Sequence, residues 1–138
     1  MVNLIDLNIL ESTIHMDIKT GIEKKYKEKK GYEKLNFTTE EESKTKPNFP
    51  NVYVSLESTR EENLTLERTL FDGGIFTFLV KITDNSGGQK VKSISDEVIR
   101  IMKRKMFTLA ERSPYMNDSD VHWVTMRFNR KIDDDDFW

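Results

Sequence analysis

The sequence predicts an α+β protein: one antiparallel sheet packs its apolar face on two helices, in the order α-β-β-β-α-β-β, with a long β-hairpin. Three observations lead there. Two segments carry apolar residues at helical spacing, several others alternate apolar with polar residues, and turn-forming clusters separate them.

The first helix is read from Leu7, Leu10, Ile14, Ile18 and Ile22, whose three-four-four-four spacing keeps them on one side. Lys24, Lys25, Lys27, Lys29 and Lys30 suit the negative end of its dipole, with Gly31 expected as the C′ residue. A phosphate-binding patch is the other use for such a lysine run. A thinner stripe, Ile5, Ile9 and Met16, points about 160–200° away from Leu7. Either the fold clasps the helix on both sides, or its first turn is frayed, or a second subunit covers that stripe, which makes the three residues candidates for a subunit interface.

Residues 36–50 are polar, end in two prolines and show no sustained period, so they read as a loop. Val52, Val54 and Leu56 then alternate as in a half-buried strand. Leu64, Leu66 and Leu70 alternate before Asp72-Gly73-Gly74, and Phe76, Phe78, Val80 and Ile82 alternate after it, which predicts a hairpin from Leu64 to Ile82. Its length, about 19 residues, suggests that it reaches past a small core onto a neighbour's sheet. Leu66, Arg68, Leu70, Phe76 and Phe78 are therefore further interface candidates.

Asn85-Ser86-Gly87-Gly88 breaks the strand, and a second helix presents Val91, Ile94, Val98, Ile101 and Met102 on one face. Its other face carries Lys90, Asp96, Glu97, Arg100, Lys103 and Arg104, and its start falls between Ser86 and Ser93. A short strand over 106–110 follows, closed by Pro114. The last strand, His122 to Ile132, sets Val124, Met126, Phe128 and Ile132 against Trp123, Thr125, Arg127, Asn129 and Lys131. The pattern gives one domain over 1–132 and an acidic tail over 133–138, where Asp133 to Asp136 repel one another.

Composition limits the function classes. With 138 residues there is room for one core, and 33% charged residues leave a large solvated or partner-facing surface. The absence of cysteine removes disulfides, zinc-thiolate sites and thiol nucleophiles. No apolar run approaches the ~20 residues of a membrane helix, and the start lacks the order of a signal peptide, so a soluble, unprocessed protein is expected. A net charge of −2 argues against a sequence-specific DNA reader.

His15 and His122 are the chain's only histidines, and neither has a spacing that would build a metal site or a nucleophile-base pair. The nearest catalytic candidates, His122 with Asp118 and Asp120, are merely adjacent in sequence. Glu40-Glu41-Glu42, Glu61-Glu62 and the Asp run are contiguous, which suits solvation more than convergent acid-base work. No Walker or Gly-x-Gly-x-x-Gly pattern occurs, and no cofactor is expected.

The runs Asn63 to Asn85, Lys92 to Met102 and Val124 to Arg130 resemble the paired strands, helix and closing strand of tail-terminator (tail-completion) proteins from the neck of long-tailed phages. The resemblance covers residues 4–132 and rests on element order and hydrophobic pattern. It implies a structural virion protein without enzymatic activity, assembled in the host bacterial cytoplasm. Such a protein forms a homo-oligomeric ring, a hexamer being one candidate, that caps the tail-tube protein and offers a docking surface to the head connector or stopper. DNA would pass through the lumen without sequence-specific binding. The alternatives are a head-tail adaptor or other small tail component and, from another class, a nucleic-acid-binding module using the Lys/Arg face of the second helix.

Overall fold

A computed structural model describes residues 5–26, 28–38, 49–61, 70–71, 73–85, 88–118 and 120–133. The elements are β1 (Ile5–Asp6), α1 (Leu7–Tyr26), β2 (Asn36–Thr38), β3 (Asn51–Glu61), β4 (Leu70–Phe71), β5 (Gly73–Asp84), α2 (Gly88–Arg104), β6 (Thr108–Arg112), β7 (Met116–Asp118) and β8 (Val121–Asp133). Six strands form one sheet in the order β2-β3-β5-β8-β6, with β7 also on β8; β1 and β4 pair separately. All sheet pairings are antiparallel except β2 with β3.

Register explains why one face is apolar. Val52, Ile82 and Val124 lie in one cross-strand row, Val54, Val80 and Met126 in the next, and Phe78 sits opposite Phe128. All are buried and join the inward stripes of both helices in a single core. On α1 that stripe is Leu10, Ile14, Ile18, Ile22 and Tyr26, one turn longer than expected, with Leu7 packed at its margin. On α2 it is Val91, Ile94, Val98, Ile101 and Met102, as expected, with Ser95 and Glu97 also buried.

Both helices have defined ends. Asp6 caps α1, its Oδ1 accepting from the backbone N–H of Asn8 at 2.9 Å and of Ile9 at 3.4 Å. α1 stops at Tyr26, not just before Gly31: Lys29 N–H donates to the Tyr26 carbonyl, and Gly31, at φ +96°, belongs to the next turn. α2 ends in a Schellman motif. Phe107 N–H donates to the Met102 carbonyl at 2.9 Å and Met106 N–H to that of Lys103 at 3.0 Å, with Met106 left-handed at φ 69°.

One expectation is corrected. The stretch 36–50 is not wholly loop, because Asn36–Thr38 forms the parallel edge strand β2. The long antiparallel pair that β5 makes has β3 as its first arm. A strand has two edges, and those of β5 are taken by β3 from Asn51 to Glu61 and by β8 from His122 to Asp133. Among the described residues the antiparallel arm preceding β5 is therefore β3; Leu70 and Phe71 pair with β1, and residues 62–69, on which the rest of the expected first arm falls, lie outside the described residues. Residues 134–138 of the acidic tail lie outside them too.

Candidate functional site

Three surfaces come from this layout. The first is the outer side of α1. The inward stripe is centred near Ile18, and Ile9 and Met16 project about 160–180° from it at 100° per residue. Ile9 is 57% exposed and Met16 50%, well above the other apolar residues of the helix. The predicted second stripe is thus at the surface of the chain.

The other predicted interface residues are placed differently. The backbone of Ile5 pairs with Phe71 and that of Leu70 with Asp6, while Leu66 and Arg68 lie outside the described residues. Phe76 and Phe78 are both fully buried. They occupy the helix-facing side of β5, and Phe78 meets the Phe107 ring edge-on at 5.6 Å. Their reading as interface residues is corrected: the core of their own chain leaves them no surface to offer.

The second surface is the face of the sheet turned away from the helices. Tyr53, Ser55, Thr77, Leu79, Lys81, Trp123, Thr125, Arg127 and Asn129 lie on it, all half-buried. Its polar groups pair with one another. Arg127 Nε donates to both Glu57 carboxylate oxygens at 2.9 and 3.0 Å and Nη1 to Glu111 at 3.2 Å, and the Glu57 hydrogen bond leads the causes that raise the guanidinium's pKa. Thr77 Oγ1 donates to Asn129 Oδ1 at 2.7 Å, and Lys81 Nζ lies 5.7 Å above the Trp123 ring.

The third surface lies where the helices cross. They run antiparallel, as successive contacts show: Tyr26 with Ser93, Lys25 with Glu97, Gly21 with Ile101, Asp17 with Lys105. A Cβ built on Gly21 would fall 2.6 Å from Ile101 Cδ1, so a side chain there would require the end of the Ile101 side chain to turn aside. Glu97 accepts from Lys25 Nζ and Arg100 Nη1, each at 3.0 Å, with Arg104 at 3.9 Å. Burial raises its proton affinity, but the hydrogen bond and charge of Lys25, then those of Arg100, more than offset this and hold the carboxyl below its usual range. Glu97 was expected on the solvated face. It sits about 100° from the centre of the buried α2 stripe, on the edge that α1 covers, and the only sequence signal for its role is its spacing to Arg100 and Arg104.

The histidines stay apart. His122 stands opposite Asp84 on β5 and Asn117 on β7, its ring 6.4 Å from that of Tyr115. His15 Nε2 is buried without a hydrogen-bond partner among the described residues. Burial, then the charge of Lys19, lowers its pKa from 6.5, with Glu11 opposing. The unfolded chain therefore takes up the proton first, so the stability that neutral His15 contributes is complete above pH 6.5 and drains away below it until the lowered folded value is reached. The melting temperature is expected to fall between pH ~7.5 and ~5.5, and less steeply in His15→Gln; parallel curves would show that the imidazole is not the source. No group of three or more His, Cys, Asp or Glu able to hold a metal occurs among the described residues. No described helix is long and apolar enough to cross a membrane.

No protein-family model matches the chain, and no curated protein matches it.

Proposed function

We propose that the chain is a structural subunit of a tailed-phage neck, assembling with copies of itself into a ring that caps the tail tube and receives the head connector. A head-tail adaptor or another small tail component of similar fold is the nearest alternative. The observation that carries the reading is the placement, among the described residues, of two unlike surfaces on opposite sides of the fold: the exposed Ile9 and Met16 stripe outside the helices, and the half-buried face of the sheet turned away from them. Unlike patches facing opposite ways favour a head-to-tail contact, which closes into a ring when the rotation per subunit divides a full turn. In this reading the acidic and paired polar groups belong to walls that hold partners in place, DNA passes through the lumen, and the work of the protein is geometric.

The purified chain is expected to sediment as monomers with some larger species, and negative-stain images of the larger species to show rings. Ile9→Asp tests the contact. Since Ile9 is more than half exposed, the variant should melt within about 0.5 kcal/mol of wild type while losing the larger species. Unchanged assembly would remove the stripe from the interface, and a tight, salt-independent dimer as the only form would overturn the ring.

A further inference from the structure

We propose that the groove between α1 and α2 binds the sugar-phosphate backbone of a nucleic acid without reading its sequence. This does not depend on the chain forming a ring. The groove, about 640 Å³, has Gly21 and Ile101 at the helix crossing and is walled by Lys24, Lys25, Arg104 and Lys105. Two carboxylates, Asp17 and Glu97, also line it, and Arg100 joins through its bond to Glu97. Five cations against two carboxylates leave three positive charges in excess, in a chain whose net charge is −2.

The arrangement matters more than the count. Glu97 is nearly buried and draws three cations toward one place, yet Arg100 and Arg104 keep 65% and 71% of their side chains exposed. One carboxylate neutralises one charge, so it gathers more positive charge than it cancels. The two guanidiniums sit one helical turn apart, and their planar donor forks match phosphate oxygens. The described lining residues include no aromatic on which a base could stack, which leaves the backbone as the feature recognised. An acidic helix seated between α1 and α2 is the competing occupant, and the poly-glutamate arm of the test distinguishes it.

The test is fluorescence anisotropy of the full chain with a labelled DNA duplex at ~50 mM salt and rising salt, with a poly-glutamate peptide as competitor. Three neutralised phosphates give a slope of log affinity against log salt of about −2.7. In Lys24→Gln/Arg104→Gln, which keeps the two 3.0 Å partners of Glu97, affinity should fall at least about tenfold and the slope flatten by nearly two units. Lys34→Gln/Lys92→Gln makes the same charge change at exposed positions outside the groove and should bind within about threefold of wild type. Absence of duplex binding at the lowest salt, equal losses in both variants, or displacement by poly-glutamate at matched charge would each overturn the proposal, the last in favour of an acidic protein partner.

Discussion

Phe78→Ala is expected to destabilise the chain by about 3–5 kcal/mol, a large part of the ~5–15 kcal/mol available to a domain. Phe78 lies on β5, which has strands on both sides, and its ring is fully buried opposite Phe128 and against Phe107. Removing it deletes most of a large apolar side chain and leaves a cavity that two strands and a helix end cannot readily close. The midpoint of thermal unfolding should drop by about 10–20 °C. An interface residue would behave differently, weakening association while leaving the monomer's melting unchanged. A small shift in melting with lost assembly would therefore return Phe78 to the subunit interface.

Gly21→Val should cost about 1–3 kcal/mol, against the direction of intrinsic helix propensity, because its branched side chain would overlap Ile101 Cδ1 and force that nearly buried side chain from its place in the core. The clash names its own remedy. Ile101→Val removes that terminal methyl and alone should cost about 0.5–1.5 kcal/mol. The double variant is expected to be at least 0.5 kcal/mol more stable than the sum of the singles. Additive losses would mean that the helices do not meet at this pair.

The parts legible in the sequence were those where one residue pattern had one structural outcome. The α1 stripe Leu10-Ile14-Ile18-Ile22, the α2 stripe and the alternation along β8 each face the core as their spacing implied. The pairing of β5 with β3 was not legible, for a physical reason. Alternation reports that a residue points to one face of a sheet and says nothing about which strands lie beside it, so Leu64 to Leu70 and Val52 to Leu56 were equal claimants for β5. β2, at three residues, is too short to show a period. Glu97 is hidden in a different way: a helical wheel places it among charges, and its partner Lys25 is 72 positions away in the chain. The exposed stripe at Ile9 and Met16 was readable because its angle to the core stripe follows from spacing alone. The groove was not, because it needs the antiparallel alignment of two helices far apart in sequence.

The filled edges of β5 also bear on the order in which the sheet can be built. Its pairs with β3 join residues from 13 positions apart, Glu61 with Gly74, to 32, Asn51 with Thr83. Its pairs with β8 span from 38, Asp84 with His122, to 60, Gly73 with Asp133. Closing the longer loops costs more chain entropy, and sheets dominated by such distant pairings form slowly. On a growing polypeptide β3 and β5 can meet while β8 is still unmade, leaving one flank of the central strand and the apolar row Phe76, Phe78, Val80 and Ile82 without their last neighbour. The arrival of β8 thus closes the free flank of β5 to pairing with another copy's strand during synthesis.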